Sequence, residues 1–253
     1  MAEWFRQSPH GVRFEWGLAG ATALAASSSC LVIVDVLSFT TSVTVAVEAG
    51  TQVFPYAWRD ETAAGFARQQ HAQLAAGHRA PSADSPWTLS PAALRRAPFT
   101  ARLVLPSPNG SAICAAAASG PATVIAACLR NAGAAARWLT RQSLGTPDRP
   151  VTVIAAGEHW PDGSLRPALE DLLGAGAVIA ALHGQGRGPL SAEAEAARAC
   201  YQATPDVAAA VADSASGREL AGRGFGADVA VAAEIGSCSV TPVLTGPAFA
   251  AAG

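Results

Sequence analysis

The sequence predicts an α/β protein with a largely parallel sheet, mixed strands allowed, buried on both faces by helices. Three observations carry this. Short runs of β-branched residues are apolar almost throughout, as in "CLVIVDVL", "RLVLPS", "ATVIAACL" and "VTVIAAG", the pattern of strands covered on both faces. Alanine-rich segments separate them, several ending at glycine, as helices do. The chain has 253 residues, 50% of them hydrophobic and 14% charged, enough to bury a large core. No composition break marks a linker, so residues 1–253 read as one domain.

The elements follow in order. "CLVIVDVL" is a strand, and "TTSVTVAVEAG" a short helix ending at Gly50. "TQVFPYAW" is a second strand, with Pro55 pointing to an edge or bulge. "DETAAGFARQQHAQLAA" is an amphipathic helix with Asp60 as N-cap. Residues 77–100, rich in Pro, Ser and Arg, are an irregular excursion. "RLVLPS", "NGSAICAAAASG" and "ATVIAACL" then read strand, helix, strand. "NAGAAARWLTRQ" is a helix capped by Asn131, "VTVIAAG" a strand, and "SLRPALEDLLGAGAVIAALHG" a helix opened by Ser164. "SAEAEAARACYQA" and a stretch from Pro205 to Gly222 are helical, and "ADVAVAAEI" and "SVTPVL" close the chain as strands.

Composition excludes several functions. The net charge of −2 and the lack of basic runs argue against nucleic acid or an acidic membrane surface. All 17 cationic residues are arginine, so lysine chemistry of any kind is excluded. Five scattered cysteines without a CxxC pair point to a reduced, cytoplasmic chain. "GLAGATALAASSSC" resembles a signal peptide in composition, but Glu3 and Glu15 spoil a basic leader. The uncharged stretch from Leu103 to Leu129 is interrupted by Pro106, Pro108, Gly110, Gly120 and Pro121, so no membrane span is placed there. No GxGxxG opens a helix after a strand, and the five histidines show no HxH or HxxxH spacing. The aspartate-nucleophile phosphatase pattern needs an acid where Leu37 stands, and no cysteine is followed by arginine six residues on.

In such folds ligands bind beyond the carboxyl ends of strands. Those positions hold Asp35, Ser38, Thr40, Thr41 and Ser42; Ser107, Asn109, Gly110 and Ser111; Arg130 and Asn131; Glu158 and His159; and later Glu170 and Asp171. Helix N-termini with small polar residues favour an anion such as phosphate. The carboxylates among them would repel it unless a dication lies between, and Mg²⁺ suits one or two carboxylates plus phosphate oxygens. Asp35 is the pivotal residue, because a carboxylate in an apolar strand is costly unless paired or metal-bound.

Five segments together resemble the 2-phosphosulfolactate phosphatase family, Mg²⁺-dependent acid phosphatases of coenzyme M biosynthesis. They are "VIVDVLSFTTSV", "LPSPNGSAI", "CLRNAGAAARWL", "VIAAGEHWPDGSLRPALEDLLGAGAVI" and "GRELAGRGFGADVAVAAEI…VTPVL", running from Leu31 to Leu244. The resemblance implies a three-layer α/β/α fold, Mg²⁺, and phosphate release from a small sulfonated or carboxylated ester. It raises the standing of Asp35, Asn109, Asn131, Glu170 and Asp171. The family's arginine, Gly-Glu-Arg and Asn-Ser-Pro are replaced by Ser38, Gly77-His78-Arg79 and Leu89-Ser90-Pro91.

The expected function is therefore a Mg²⁺-dependent phosphatase of a small anionic monoester. Asp35 holds the metal or acts as nucleophile, with Asp171 as a second metal ligand. Asn109, Glu170 and Asp171 are further catalytic candidates. Thr40, Thr41, Ser42, Gly110, Ser111 and Asn131 are expected to bind phosphate, and Arg79 and Arg130 the substrate's second anion. Ser38, His78 and Leu89 leave open a different biosynthetic reaction on the same scaffold, or a catalytically silent anion-binding protein. The Ala/Gly-rich composition is compatible with a homodimer.

Overall fold

Five-residue apolar runs form the centre of the molecule because only a covered sheet can bury both of their faces. The computed structural model describes residues 3–57, 61–76, 81–82, 85–118 and 120–252. Strand β1 (Val12–Trp16) leads into helix α1 (Gly17–Leu24), and β2 (Cys30–Val34) into α2 (Phe39–Glu48). Next come β3 (Gln52–Tyr56), α3 (Glu61–Gln69), β4 (Gln73–Leu74) and one helical turn, α4 (Pro91–Leu94). The middle of the chain runs β5 (Arg102–Pro106), α5 (Gly110–Ala118), β6 (Thr123–Ala127), α6 (Ala132–Arg141) and β7 (Val151–Ala155). A two-stranded ribbon, β8 (Glu158–His159) and β9 (Leu165–Arg166), precedes α7 (Leu169–Gly184). Helices α8 (Ala192–Ala203), α9 (Val207–Asp213), α10 (Ala215–Gly222) and α11 (Gly226–Ala232) follow, and the hairpin β10 (Pro242–Thr245) and β11 (Ala248–Ala251) ends the fold. None of the described helices is long and apolar enough to cross a membrane.

The nine-stranded sheet has the order β1-β7-β2-β6-β10-β11-β3-β5-β4. Strands β1, β7, β2 and β6 are mutually parallel, as are β3, β5 and β4. The β10–β11 hairpin joins the two blocks through antiparallel pairings with β6 and β3. Three antiparallel steps reverse direction, so the two parallel blocks run opposite ways. The sheet is therefore mixed, within the α/β class expected.

Strand β2 shows how pattern becomes packing. Cys30, Val32 and Val34 face one core with α6, α7 and α8, while Leu31 and Ile33 face a second core. All five are fully buried, each worth about 1.5–3 kcal/mol relative to exposure. The second core also takes Phe39 and Val43 of α2, Ile113 of α5, and Val53, Leu103 and Leu105 from the other block. Helices α2 and α5 thus pack against both blocks, which carries the loop after β5 to the loop after β2.

Several expectations are corrected. "ADVAVAAEI" is helix α11 rather than a strand: its alternating valines, Val229 and Val231, pack into separate clusters on two sides of that helix. The helix expected from Ser164 starts at Leu169. Pro167 holds Arg166 extended, so Leu165–Arg166 pairs with Glu158–His159 instead. Pro55 lies in a strand with neighbours on both sides, not at an edge. Strands β1 and β11 and helix α1 had no sequence assignment; α1 is folded against α5, as a structural helix. The region from Leu103 to Leu129 is strand, helix, strand as expected. Asp60 lies outside the described residues.

Candidate active site

Asp35 follows β2 directly and is buried. Its Oδ1 accepts the Phe39 N–H at 3.0 Å, and its Oδ2 accepts the Gly110 N–H at 3.1 Å. Phe39 and Gly110 are the first residues of α2 and α5. One carboxylate therefore takes up orphan donors from two helix N-termini, where the aligned peptide dipoles favour negative charge. Position 110 has to be glycine here. A Cβ there would stand 2.3 Å from Phe39 Cδ1 and 2.8 Å from Asp35 Oδ2.

The first turn of α7 brings Glu170 and Asp171 to the same loops. Asp171 Oδ1 accepts the Val36 N–H at 2.7 Å, and Oδ2 accepts the Gly157 N–H at 2.8 Å. It thus clasps the loops after β2 and β7 together. Glu170 is also buried, and its charge reaches both Asp171 and Glu158. Asn109 donates through Nδ2 to Glu158 Oε2 at 2.9 Å and to the Gly157 carbonyl at 3.3 Å.

These carboxylates repel one another in dry surroundings. Burial, and then the charge of Asp35, lift the Glu158 carboxyl from 4.5 to about 7; Glu170 adds to this, while the Asn109 hydrogen bond and Arg166 oppose it. Burial, Asp35 and Glu170 also push Asp171 well above the usual carboxylate range, against the Val36 N–H bond. Asp35, Asn109, Gly110, Glu170 and Asp171 are therefore brought together as candidates. Glu158, one of the strand-end residues, joins them on the strength of tertiary contacts that its position in the sequence does not reveal.

The hydroxyls of the small polar residues expected to bind phosphate turn to the backbone of the loops. Thr40, Thr41, Ser42 and Ser111 are fully buried and donate to the carbonyls of Asp35, Val36, Leu89 and Leu105. Their hydroxyls brace the loops, since buried donors take the nearest backbone acceptors. Asn131 is likewise consumed internally. Its Oδ1 accepts the Cys128 N–H, and its Nδ2 donates to the Ala126 and Val240 carbonyls.

Arg130 sits toward the far end of α2, bonded to Thr44 Oγ1 at 3.4 Å, Glu48 at 3.0 Å and Glu234 at 3.4 Å. Glu234 also closely pairs with Arg95. Arg130 is thus part of an ion-pair group anchored on the second half of α2. Arg79 and His78 lie outside the described residues. Arg166, beside Glu158, is a cation that strand-end reading missed; its Nη2 donates to Ser216 at 3.1 Å, and its guanidinium lies 5.7 Å from the Trp160 ring centre.

The carboxylate cluster at the strand-end loops, with the N-termini of α2 and α5 converging on Asp35, is the candidate site of this α/β fold. The class is that of phosphatases acting on phosphomonoesters. More particularly, the chain belongs to the 2-phosphosulpholactate phosphatase family, which residues 20–247 match. It is 32% identical over 220 residues to a "Probable 2-phosphosulfolactate phosphatase" of Thermus thermophilus, covering 85% of this chain and 88% of that protein.

Proposed function

We propose that this protein is a Mg²⁺-dependent phosphatase that releases phosphate from a small 2-phosphorylated acid of the 2-phosphosulfolactate type. The observation that carries the reading is Asp35, held at the meeting point of two helix N-termini beside three further carboxylates.

The donor set fits a hard dication. It is all oxygen, and the mutual repulsion that raises Glu158 and Asp171 is what a dication would relieve. Among the described residues no group of three His, Cys, Asp or Glu side chains is arranged to hold a metal. Mg²⁺ takes one or two carboxylates and completes its shell with water and phosphate oxygens. Asp35 and Asp171 would hold it, since Asp171 bonds the N–H of Val36, the residue next to Asp35, and feels the charge of Asp35. Bound Mg²⁺ supplies Lewis-acid stabilisation of the phosphoryl oxygens.

The chain's own residues do the rest. Asp171 keeps the loops after β2 and β7 at one spacing through its two backbone bonds. Asn109 orients Glu158. Burial is the first cause that raises the Glu158 carboxyl, so it can carry a proton to the departing alkoxide and take back the one shed by the water that attacks phosphorus. The positive ends of α2 and α5 favour the phosphate's charge.

Asp35→Asn tests this. Asparagine would keep one backbone bond but set its amide NH₂ against a second N–H, costing about 1–3 kcal/mol without unfolding the chain. Phosphate release from 2-phosphosulfolactate is expected to fall at least about a hundredfold, with circular dichroism unchanged. Chelation by EDTA should stop turnover of the unaltered protein, and Mg²⁺ should restore it. Undiminished turnover in the variant, or in EDTA, would sink the proposal.

A further inference from the structure

Beside the carboxylate cluster lies a pocket of about 370 Å³, within the usual range for small-molecule sites. It shares a wall with the site. Asn109, whose amide reaches Glu158, lines it, as does Ala156 next to Gly157, whose N–H donates to Asp171. Its other walls are apolar: Trp16, Leu18, Ala112, Ile113 and Leu165. Among the described lining residues His159 is the one ionisable side chain, and there is no arginine. A sulfonate or second carboxylate entering it would meet a single ionisable partner, His159, and otherwise give up hydration to apolar walls.

A second observation agrees. Leu18 and Leu165 are 48% and 38% exposed although large and apolar. Trp160 on the loop between β8 and β9 and Leu169 at the start of α7 are 53% and 43% exposed. Exposed apolar side chains on the wall of a concave site, as Leu18 and Leu165 are, mark binding surface.

Resting on the phosphatase reading above, we propose that the alcohol released by this enzyme carries an apolar substituent, aryl or branched alkyl and about the size of benzyl. That group sits in the pocket between α1, α5 and the β8–β9 ribbon, with its phosphate toward Asp35. The substrate class is thus the phosphate ester of a 2-hydroxy acid with an apolar side chain, in place of the sulfonated one.

The test compares 2-phospho-3-phenyllactate, 2-phosphosulfolactate and 2-phospholactate as substrates of the full chain. The phenyl ester is expected to lead in kcat/KM by about tenfold or more. Ala112→Trp, which fills the pocket, and Leu18→Arg, which sets a cation at its mouth, should each erase that lead while 2-phospholactate turnover stays within about threefold. Leu18 is exposed, so its variant keeps the test usable if the tryptophan disturbs α5. A wild-type preference for the sulfonated ester, or a phenyl preference untouched by both variants, overturns the inference and leaves the phosphatase reading standing. If no ester releases phosphate, that reading fails, and calorimetric binding of 3-phenyllactate decides the pocket. Binding abolished by both variants sustains the apolar site, and no binding to the wild type removes it.

Discussion

Glu158 makes single-residue electrostatics measurable. Its carboxyl is raised from 4.5 to about 7, first by burial and then by Asp35. Between those values the folded protein holds a proton that the unfolded chain has lost. Stability from this group is full below pH 4.5 and declines as pH rises to about 7. The size is on the order of 3 kcal/mol. Glu158→Gln should therefore flatten the fall in Tm between pH 5 and 8 and raise Tm at pH 8. The same proton serves the leaving group, so kcat/KM is expected to fall with rising pH as Glu158 loses it in the wild type. In the variant the residual rate should be at least about a hundredfold lower and no longer follow that limb. A variant whose Tm keeps the wild-type slope would remove the assignment. The sequence made Asp35 visible, because a carboxylate ending an apolar strand has few bland explanations. It could not separate a hydroxyl that binds ligand from one that braces a loop. Thr40 and Ser111 donate to carbonyls five and six residues away in the chain, and a helix-start hydroxyl is equally able to do either.

Helix α7 shows how an element delivers function. Its first turn carries Glu170 and Asp171, and one turn on Gly174 lies against β2 and the loop after it. A Cβ on Gly174 would stand 2.7 Å from Val36 Cγ2 and 2.9 Å from Val34 Cγ1. Gly174→Ala should push the helix away, cost about 1–3 kcal/mol in urea unfolding, and loosen the Asp171 bond to Val36. Turnover per folded molecule should drop together with stability; a drop in stability alone would show that the clasp tolerates the shift. The element was readable as a helix, though its start was not. Pro167 and the two-residue ribbon ahead of it depend on Glu158–His159 pairing back, a contact that local periodicity does not express. For α11 the valine alternation suggested a strand, but burial on two sides of a helix yields the same spacing.

At the scale of the molecule, the β10–β11 hairpin joins two oppositely running parallel blocks through Val243–Ile125 and Phe249–Val53. Phe249 is fully buried and meets Phe39 edge to face, with ring centres 6.4 Å apart. Phe249→Ala should cost about 3–5 kcal/mol, read as a lower urea midpoint, and should weaken turnover because Phe39 supplies an N–H to Asp35. Full stability in that variant would mean that the blocks hold together without the hairpin's core contact. The amino-acid sequence by itself determined the α/β class, the central strands, and a polar edge led by Asp35, because burial and periodicity act over neighbouring residues. Tertiary structure alone decided the reversal between the blocks, the meeting of Asp35 with Gly110 and of Val36 with Asp171, and the diversion of Arg130 to Glu48. Those pairings span 75, 135 and 82 residues, and a partner so far along the chain is chosen by how whole layers pack.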